Sequence, residues 1–249
     1  MTESDDNKND KISVAMAVCE GEKYLSVQLD SILSQLRDYD ELIISYDESH
    51  DCTLNIIEEY AAHDSRITIV KNDVSGITSN FNNALSHCSG DYIYISDQDD
   101  KWLDNKIAIV QKYFAETNAD LIIHNGVHTD EYLNPAPQSF NEIYRIGNSK
   151  LKNIIKPRYS GCCMAFTRQM LNNILPIPDI QGYDQWIATV CEFTGHIEYP
   201  KEVLLLHRLH ANNATPSGKS RPLHVIIKMR SRLIINLIKR LRRIKRSRN

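Results

Sequence analysis

Asp97-Gln98-Asp99-Asp100 gathers three carboxylates within four residues, immediately after the strand-like run Tyr92-Ile93-Tyr94-Ile95-Ser96. Carboxylates that leave a rigid strand end together repel one another unless a cation sits between them, and hard oxygen donors suit Mn²⁺ or Mg²⁺. Such an ion would bridge the two phosphates of a nucleoside diphosphate and take up the charge that builds on that leaving group as its bond to a sugar breaks. Read alone, an Asp-x-Asp run equally caps a following helix and solvates a loop, so the rest of the chain has to decide. Neither a G-x-x-x-x-G-K-[ST] loop nor a G-x-G-x-x-G turn occurs, which weighs against Walker-type ATP use and dinucleotide binding.

The elements that must hold this loop are legible upstream. Ile12 to Val18 is a short apolar run ending in the turn Cys19-Glu20-Gly21, and Leu25, Leu29, Ile32 and Leu33 recur at helical spacing between Lys23 and Gln35. Glu41 to Ser45 predicts a second strand, Cys52 to Ala62 a helix, Arg66 to Val70 a strand, Ser79 to Cys88 a helix and Asp91 to Ser96 the strand before the acidic loop. A helix over Lys106 to Glu116 and a strand over Asp120 to His124 extend the alternation, which implies a mostly parallel sheet with helices on both faces. In such sheets ligands bind beyond the carboxyl ends of the strands, so Cys19-Glu20-Gly21, Tyr46-Asp47-Glu48 and Asp97 to Asp100 should meet in one crevice. From residue 126 the alternation weakens and Pro135, Pro137, Pro157, Pro176 and Pro178 interrupt it. The division expected is residues 1–10 disordered, 11–125 for the nucleotide-binding half, 126–218 for the acceptor-binding half, and 219–249 as a basic tail.

Size and composition bound the rest. The 249 residues, 42% hydrophobic, can bury one substantial core. No run of eighteen apolar residues and no secretory signal is present, so a cytoplasmic location is expected. Cys19, Cys52, Cys88, Cys162, Cys163 and Cys191 show no C-x-x-C pair or zinc spacing and read as free thiols. The net charge of -3 hides an asymmetry, because residues 219–249 hold 12 of the 29 Lys and Arg and no acid. The remaining body is strongly acidic, which argues against nucleic acid as the substrate.

The order of motifs resembles the family 2 glycosyltransferases of the GT-A fold, in particular the bacterial O-antigen and capsule enzymes of the rhamnosyltransferase-like subgroup. The residues that carry the resemblance are Ile12 to Ala17 with Gly21 to Leu25, Gln28 to Gln35, and Asp97 to Trp102. To these are added Asn80-Phe81 with Ala84-Leu85 before Gly90-Asp91-Tyr92, then Ser160 to Phe166, Tyr183 to Trp186, and Arg208 to Asn213.

The resemblance implies an α/β GT-A fold with a Rossmann-like nucleotide-binding sheet, a fused acceptor-binding half and a helical basic tail. It implies an inverting transfer of a hexose or deoxyhexose from a UDP- or dTDP-sugar to a hydroxyl of a lipid-linked or soluble glycan, in synthesis of O-antigen or capsule polysaccharide. Donor contacts then fall on Ala17, Val18, Glu20, Asp47, Asn80 and Asp97, with Asp47 at the base and Asp97 at the ribose or metal. Asp99 and His210 would ligate the metal, and Asp184 would deprotonate the acceptor hydroxyl. Gly161, Cys162, Tyr183 and Trp186 would line the acceptor. Asp184 read without the family is first a helix cap, and His210 equally a surface or core histidine. Two departures stand out: Tyr46-Asp47-Glu48-Ser49 lacks one acid and the glycine of the family's Asp-Asp-Gly-Ser, and Gln185 replaces a frequent Trp after the base.

Between Leu223 and Ile244 the apolar residues Ile226, Met229, Leu233, Leu237, Leu241 and Ile244 recur every three or four positions among bases. This amphipathic basic helix either lies on an anionic membrane surface, making the protein peripheral on the inner face of the cell membrane, or packs on the catalytic body or a second subunit. A nucleotidyltransferase, or a GT-A module that binds sugar or membrane without catalysis, is the alternative to glycosyl transfer. The former would carry a Gly- and Lys/Arg-rich phosphate loop near the N-terminus, and Ala17-Val18-Cys19-Glu20-Gly21 is not one.

Overall fold

A computed structural model of the chain describes residues 10–147, 149–180, 182–210 and 222–247. Its centre is a seven-stranded sheet in the order β10-β6-β9-β4-β1-β2-β3, comprising β1 (Ile12–Val18), β2 (Glu41–Tyr46), β3 (Ile67–Lys71), β4 (Tyr92–Ser96), β6 (Leu121–Ile123), β9 (Met164–Thr167) and β10 (Ile197–Glu198). Strand β1 lies inside the sheet because nearly all of its residues can be buried, and it pairs in parallel with β2 on one side and β4 on the other. The register Val18↔Tyr46 and Met16↔Ser96 brings the ends of all three strands to one edge, so the loops after them leave side by side.

Helices α1 (Leu25–Leu33), α2 (Thr53–His63), α3 (Ile77–His87) and α4 (Lys106–Thr117) follow strands as the alternation requires. Leu25, Leu29 and Ile32 on α1, and Phe81, Ala84 and Leu85 on α3, are fully enclosed, each large apolar side chain contributing about 1.5–3 kcal/mol. The expected sheet is mostly parallel, as observed, with one inversion. Strand β9 runs antiparallel between β4 and β6, so a piece of the proline-interrupted half completes the first sheet.

A second sheet, β5-β11-β7-β8, joins β5 (Lys101–Trp102), β7 (Asn125–Thr129), β8 (Pro135–Ser139) and β11 (Val203–Arg208). Strand β5 follows the acidic loop directly and pairs antiparallel with β11 through Leu205↔Trp102. Helix α4 begins three residues beyond β5, with Asn105 as its N-cap. The acidic loop therefore does not cap a helix, and its downstream end is pinned to β11.

The remaining helices are α5 (Phe140–Tyr144), α6 (Lys150–Ile155), α7 (Arg168–Ile174), α8 (Tyr183–Thr194) and α9 (Leu223–Ser247), with a 3₁₀ turn at Gly161–Cys163. Helix α9 confirms the helical reading of the tail. The apolar stripe legible in the sequence is the docked face: Leu233, Leu237 and Ile244 are buried, and Arg240 donates to the carbonyls of Asn173, Leu175 and Pro176 at 2.6–2.7 Å while its guanidinium lies over Trp186. Of the three partners left open for that stripe, the membrane surface, the body of the chain and a second subunit, the body holds it. Among the described residues no helix is long and apolar enough to cross a membrane. Residues 219–221 and 248–249 of the tail, and Ala211-Asn212-Asn213 of the motif after Arg208, lie outside the described residues.

Candidate donor and acceptor site

The three loops expected to converge are tied together through side chains. Gln98 spans two of them, its Oε1 accepting from the Cys19 amide and its Nε2 donating to the Cys19 carbonyl, both at 2.7 Å. Gly21 allows this approach, since a Cβ there would lie 2.6 Å from Gln98 Oε1. Ser49 Oγ accepts from the Glu20 amide at 3.0 Å, and Glu20 in turn accepts from the His50 amide at 2.7 Å. Asp47 is buried, with its carboxylate taking Asn72 Nδ2 at 2.6 Å and the Gly76 amide at 2.9 Å. Asn80 Nδ2 donates to the Val18 carbonyl at 3.1 Å, and Ala17 pairs across β2 with Ser45. The donor candidates Ala17, Val18, Glu20, Asp47, Asn80 and Asp97 thus share one strand edge.

In the acidic loop each carboxylate has a different neighbour. Tyr183 Oη donates to Asp97 Oδ1 at 3.3 Å, and Asp99 Oδ2 lies 2.8 Å from His210 Nε2. Asp100, fully enclosed, accepts from the Arg208 amide at 3.1 Å and from His207 Nδ1 at 2.9 Å. Burial, with Asp100 and Asp99 close by, pushes Asp97 up to about 7, and burial with Asp100 raises Asp99 as well. Burial alone would depress His207, but the Asp100 carboxylate, with Cys162, lifts it well above the ordinary imidazole range. His207 therefore answers Asp100 directly, while the raised carboxyls of Asp97 and Asp99 mark negative charge that His207 and His210 offset only in part.

That shortfall is the test of whether a divalent cation fits. Asp97 and Asp99 offer oxygen and His210 an imidazole nitrogen, a donor set suited to Mn²⁺ and compatible with Mg²⁺. Asp100, Cys162 and His207 also present donor atoms within 4.8 Å of one another. Asp100 and Cys162 are fully enclosed there and the thiol is a soft donor, so that trio braces the loop from behind.

Across the crevice Gly182, in the left-handed region at φ 89°, turns the chain into α8 and puts Tyr183 and Asp184 in its first turn. Asp184 is half-buried; its Oδ1 accepts from the Gln185 amide at 2.8 Å, so the helix-cap reading holds in part, although Gly182 is the N-cap. Burial raises the Asp184 carboxyl, opposed by those backbone hydrogen bonds and by Arg230. Tyr183 stacks on Phe81 at 4.1 Å, and its ring occupies the space where Gly161 has no Cβ. Tyr183 and Gly161 therefore pack together beside the acidic loop, and Tyr183 joins the start of α8 to Asp97.

Cys162 and Trp186 are placed differently from expectation. Cys162 is fully enclosed against His207 and Ser160, beneath the loop. Trp186 is 1% exposed and donates its indole N–H to the Ile174 carbonyl at 3.0 Å. The helix repeat turns Trp186 into the core while Asp184 points outward, so Trp186 supports α8 and does not meet an acceptor.

Several residues of the site were not singled out in the sequence. Arg208 donates from Nε to the Asp99 carbonyl at 2.9 Å and lies over the Tyr24 ring. Lys106, fully buried, donates to the Cys162 carbonyl at 3.1 Å and sits 3.9 Å from the centre of the Trp102 ring; burial lowers it to about 8. Arg208 opens the motif Arg208 to Asn213 but carries no assigned role there, and Lys106 reads only as the first residue of a helix.

The family model of Glycosyl transferase family 2 matches residues 13–175. The chain is 27% identical over 183 residues to the Escherichia coli UDP-Glc:alpha-D-GlcNAc-diphosphoundecaprenol beta-1,3-glucosyltransferase WfgD, covering 71% of this chain and 67% of that protein. Two other bacterial relatives, at 38% and 31% identity, are matched over only 41% and 17% of their own length. Among solved structures, Staphylococcus aureus TarS 1-349 in complex with UDP-GlcNAc superposes with a TM-score of 0.72 at 18% identity, over 91% of this chain and 67% of that one. The mannosyltransferase PcManGT of Pyrobaculum calidifontis, in complex with GDP-Man and Mn²⁺, gives 0.62 at 19% identity over 82% and 58%. The sheet order, the latched acidic loop and these likenesses agree: the chain belongs to glycosyl transferase family 2 and has the GT-A fold.

Proposed function

We propose that the chain is an inverting glycosyltransferase that moves a hexose or deoxyhexose from a UDP- or dTDP-sugar to a hydroxyl of a lipid-linked glycan, in cell-surface polysaccharide synthesis of the O-antigen or capsule kind. The observation that carries this reading is the connection of two unlike carboxylate sites through one side chain. Tyr183 Oη reaches Asp97 in the charge-poor loop, and the next residue, Asp184, is a raised carboxyl at the first turn of α8. The activity of WfgD, with a UDP-Glc donor and a diphosphoundecaprenol-linked acceptor, supports the donor and acceptor classes. The Mn²⁺ in the PcManGT complex supports the metal.

In this reading Asp47 and Asn72 receive the nucleotide base, the Val18 to Glu20 backbone borders the nucleoside, and Asp99, His210 and Asp97 hold Mn²⁺ or Mg²⁺. The ion, when bound, supplies positive charge to the diphosphate leaving group. Asp184 takes the acceptor hydroxyl proton as that oxygen bonds to the sugar C1, and the C1–O bond to the diphosphate breaks on the opposite face. Tyr183, fixed by Phe81 and Gly161, keeps the base next to Asp97. Lys106 and His207 set compensating charge behind the loop. The acceptor is carried by a lipid, so the enzyme works at the inner face of the cell membrane.

A panel of UDP-glucose, UDP-galactose and dTDP-rhamnose, scored for thermal stabilisation and turnover with and without Mn²⁺, tests the assignment. One donor should stabilise the chain only with metal, and NMR of the product should show the anomeric configuration inverted. A retained configuration, or no stabilisation by any nucleotide sugar, would refute it. A non-catalytic sugar-binding module would bind a donor with metal and never release its nucleotide.

A further inference from the structure

Helix α9 has a second apolar face, distinct from the one docked on the body. Leu223, Ile227, Ile234 and Ile238 follow one another at intervals of four, seven and four residues and so share one side of the helix. They are 72%, 56%, 41% and 44% exposed. The docked stripe of Leu233, Leu237 and Ile244 lies on a neighbouring sector. On the other flank of the exposed face lie bases, among them Lys228, Lys239, Arg242 and Arg246, all exposed, and the helix contains no acid.

From this arrangement we infer that the outward face of α9 is a docking surface for an anionic lipid bilayer, with Ile227, Ile234 and Ile238 entering the headgroup layer. The inference rests on the lipid-linked acceptor proposed above and names the surface that would meet that lipid. Three observations favour a bilayer over a second copy of the chain. First, an apolar stripe bordered on one side by bases matches an interface that is apolar below and anionic above. Second, pairing this helix with its own copy would oppose unrelieved positive charge. Third, the patch continues onto α6, where Ile155 is 70% exposed and Lys150, Lys152 and Lys156 are exposed bases.

The same face sits beside the catalytic base. Arg230 lies between Ile227 and Ile234, donating from Nε to the Ile155 carbonyl at 3.2 Å and from Nη1 to Gln185 Oε1. Gln185 follows Asp184, and its Nε2 also donates to the carbonyls of Asn153 and Ile154 at 3.1–3.2 Å. A bilayer on the outward face of α9 would therefore lie next to the first turn of α8. That geometry suits an acceptor whose reacting hydroxyl stays close to the headgroups.

The test uses the full chain and flotation with two kinds of vesicle, phosphatidylcholine alone and phosphatidylcholine with phosphatidylglycerol. The wild-type chain should float with the anionic vesicles and not the neutral ones, with binding falling steeply as salt rises. The combined variant Ile227→Ser, Ile234→Ser and Ile238→Ser should lose at least tenfold in vesicle partition, with metal-dependent nucleotide-sugar hydrolysis by the folded chain unchanged, because these side chains are 41–56% exposed on the outward face of the helix. Equal partition of variant and wild type, equal binding to both vesicles, or no binding to either would overturn the proposal. So would a wild-type dimer in light scattering that these substitutions dissociate, which would assign the face to a second copy. Vesicle binding by a chain that turns over no nucleotide sugar would sink the transferase reading and leave the surface standing.

Discussion

The two walls of the crevice are built by different means. On the donor side, three loops leave neighbouring parallel strands at one edge and are stitched to one another through Gln98, Glu20, Ser49 and Asn80. On the acceptor side, Asp184 stands in the first turn of a helix whose position depends on packing by α6, α7 and α9, held through Asn153, Trp186 and Arg230. The first wall is fixed by local strand geometry and the second by contacts from distant parts of the chain.

The largest separation of the two walls is expected from Asp184→Asn. It should leave metal-dependent UDP binding within about twofold and lower turnover by about 10²–10⁴, the range for loss of a general base. Equal loss of binding and turnover would show that Asp184 belongs to the donor wall. Next in size is Leu237→Ala, which empties the docked face of α9 and should cost about 2–5 kcal/mol in denaturant unfolding. Its residual folded fraction should lose turnover before it loses UDP affinity.

Gln98→Ala addresses the donor wall. Removing both bonds to Cys19 should weaken UDP binding by about 1–2 kcal/mol, on the scale of two ordinary hydrogen bonds, with turnover at saturating donor little changed. The smallest effect is a displacement of the pH profile. Burial raises Asp184 and only its ionised form accepts a proton, so kcat should rise with pH with a midpoint above the ordinary carboxylate range. Arg230 opposes that rise, so Arg230→Met should move the midpoint to higher pH; an unmoved midpoint would separate α9 from the base.

The same contrast explains what could be read from the sequence. The donor wall is a run of strand, helix and loop in chain order, so Ile12 to Val18, the Asp47 loop and Asp97 to Asp100 were legible together with their common edge. Strand β9 could not be foreseen, because its antiparallel place between β4 and β6 is set by a strand arriving from 164–167. Trp186 was misjudged because adjacency to Asp184 in the motif says nothing of the direction each faces on α8. The tail stripe from Ile226 to Ile244 was found by period, yet period cannot say what covers it. The catalytic body covers that stripe, and a second stripe lies outward. Lys106 and His207 were given no role because their burial exists only once β5 pairs with β11.

The central claim is that Asp97 and Asp99 gather a divalent cation that grips a nucleoside diphosphate. Calorimetric titration of UDP into the chain, with and without Mn²⁺, tests it directly. The account predicts binding that requires the metal, vanishes in Asp99→Ala and survives in Asp184→Asn. UDP binding of equal strength without metal, or undiminished in Asp99→Ala, would contradict it.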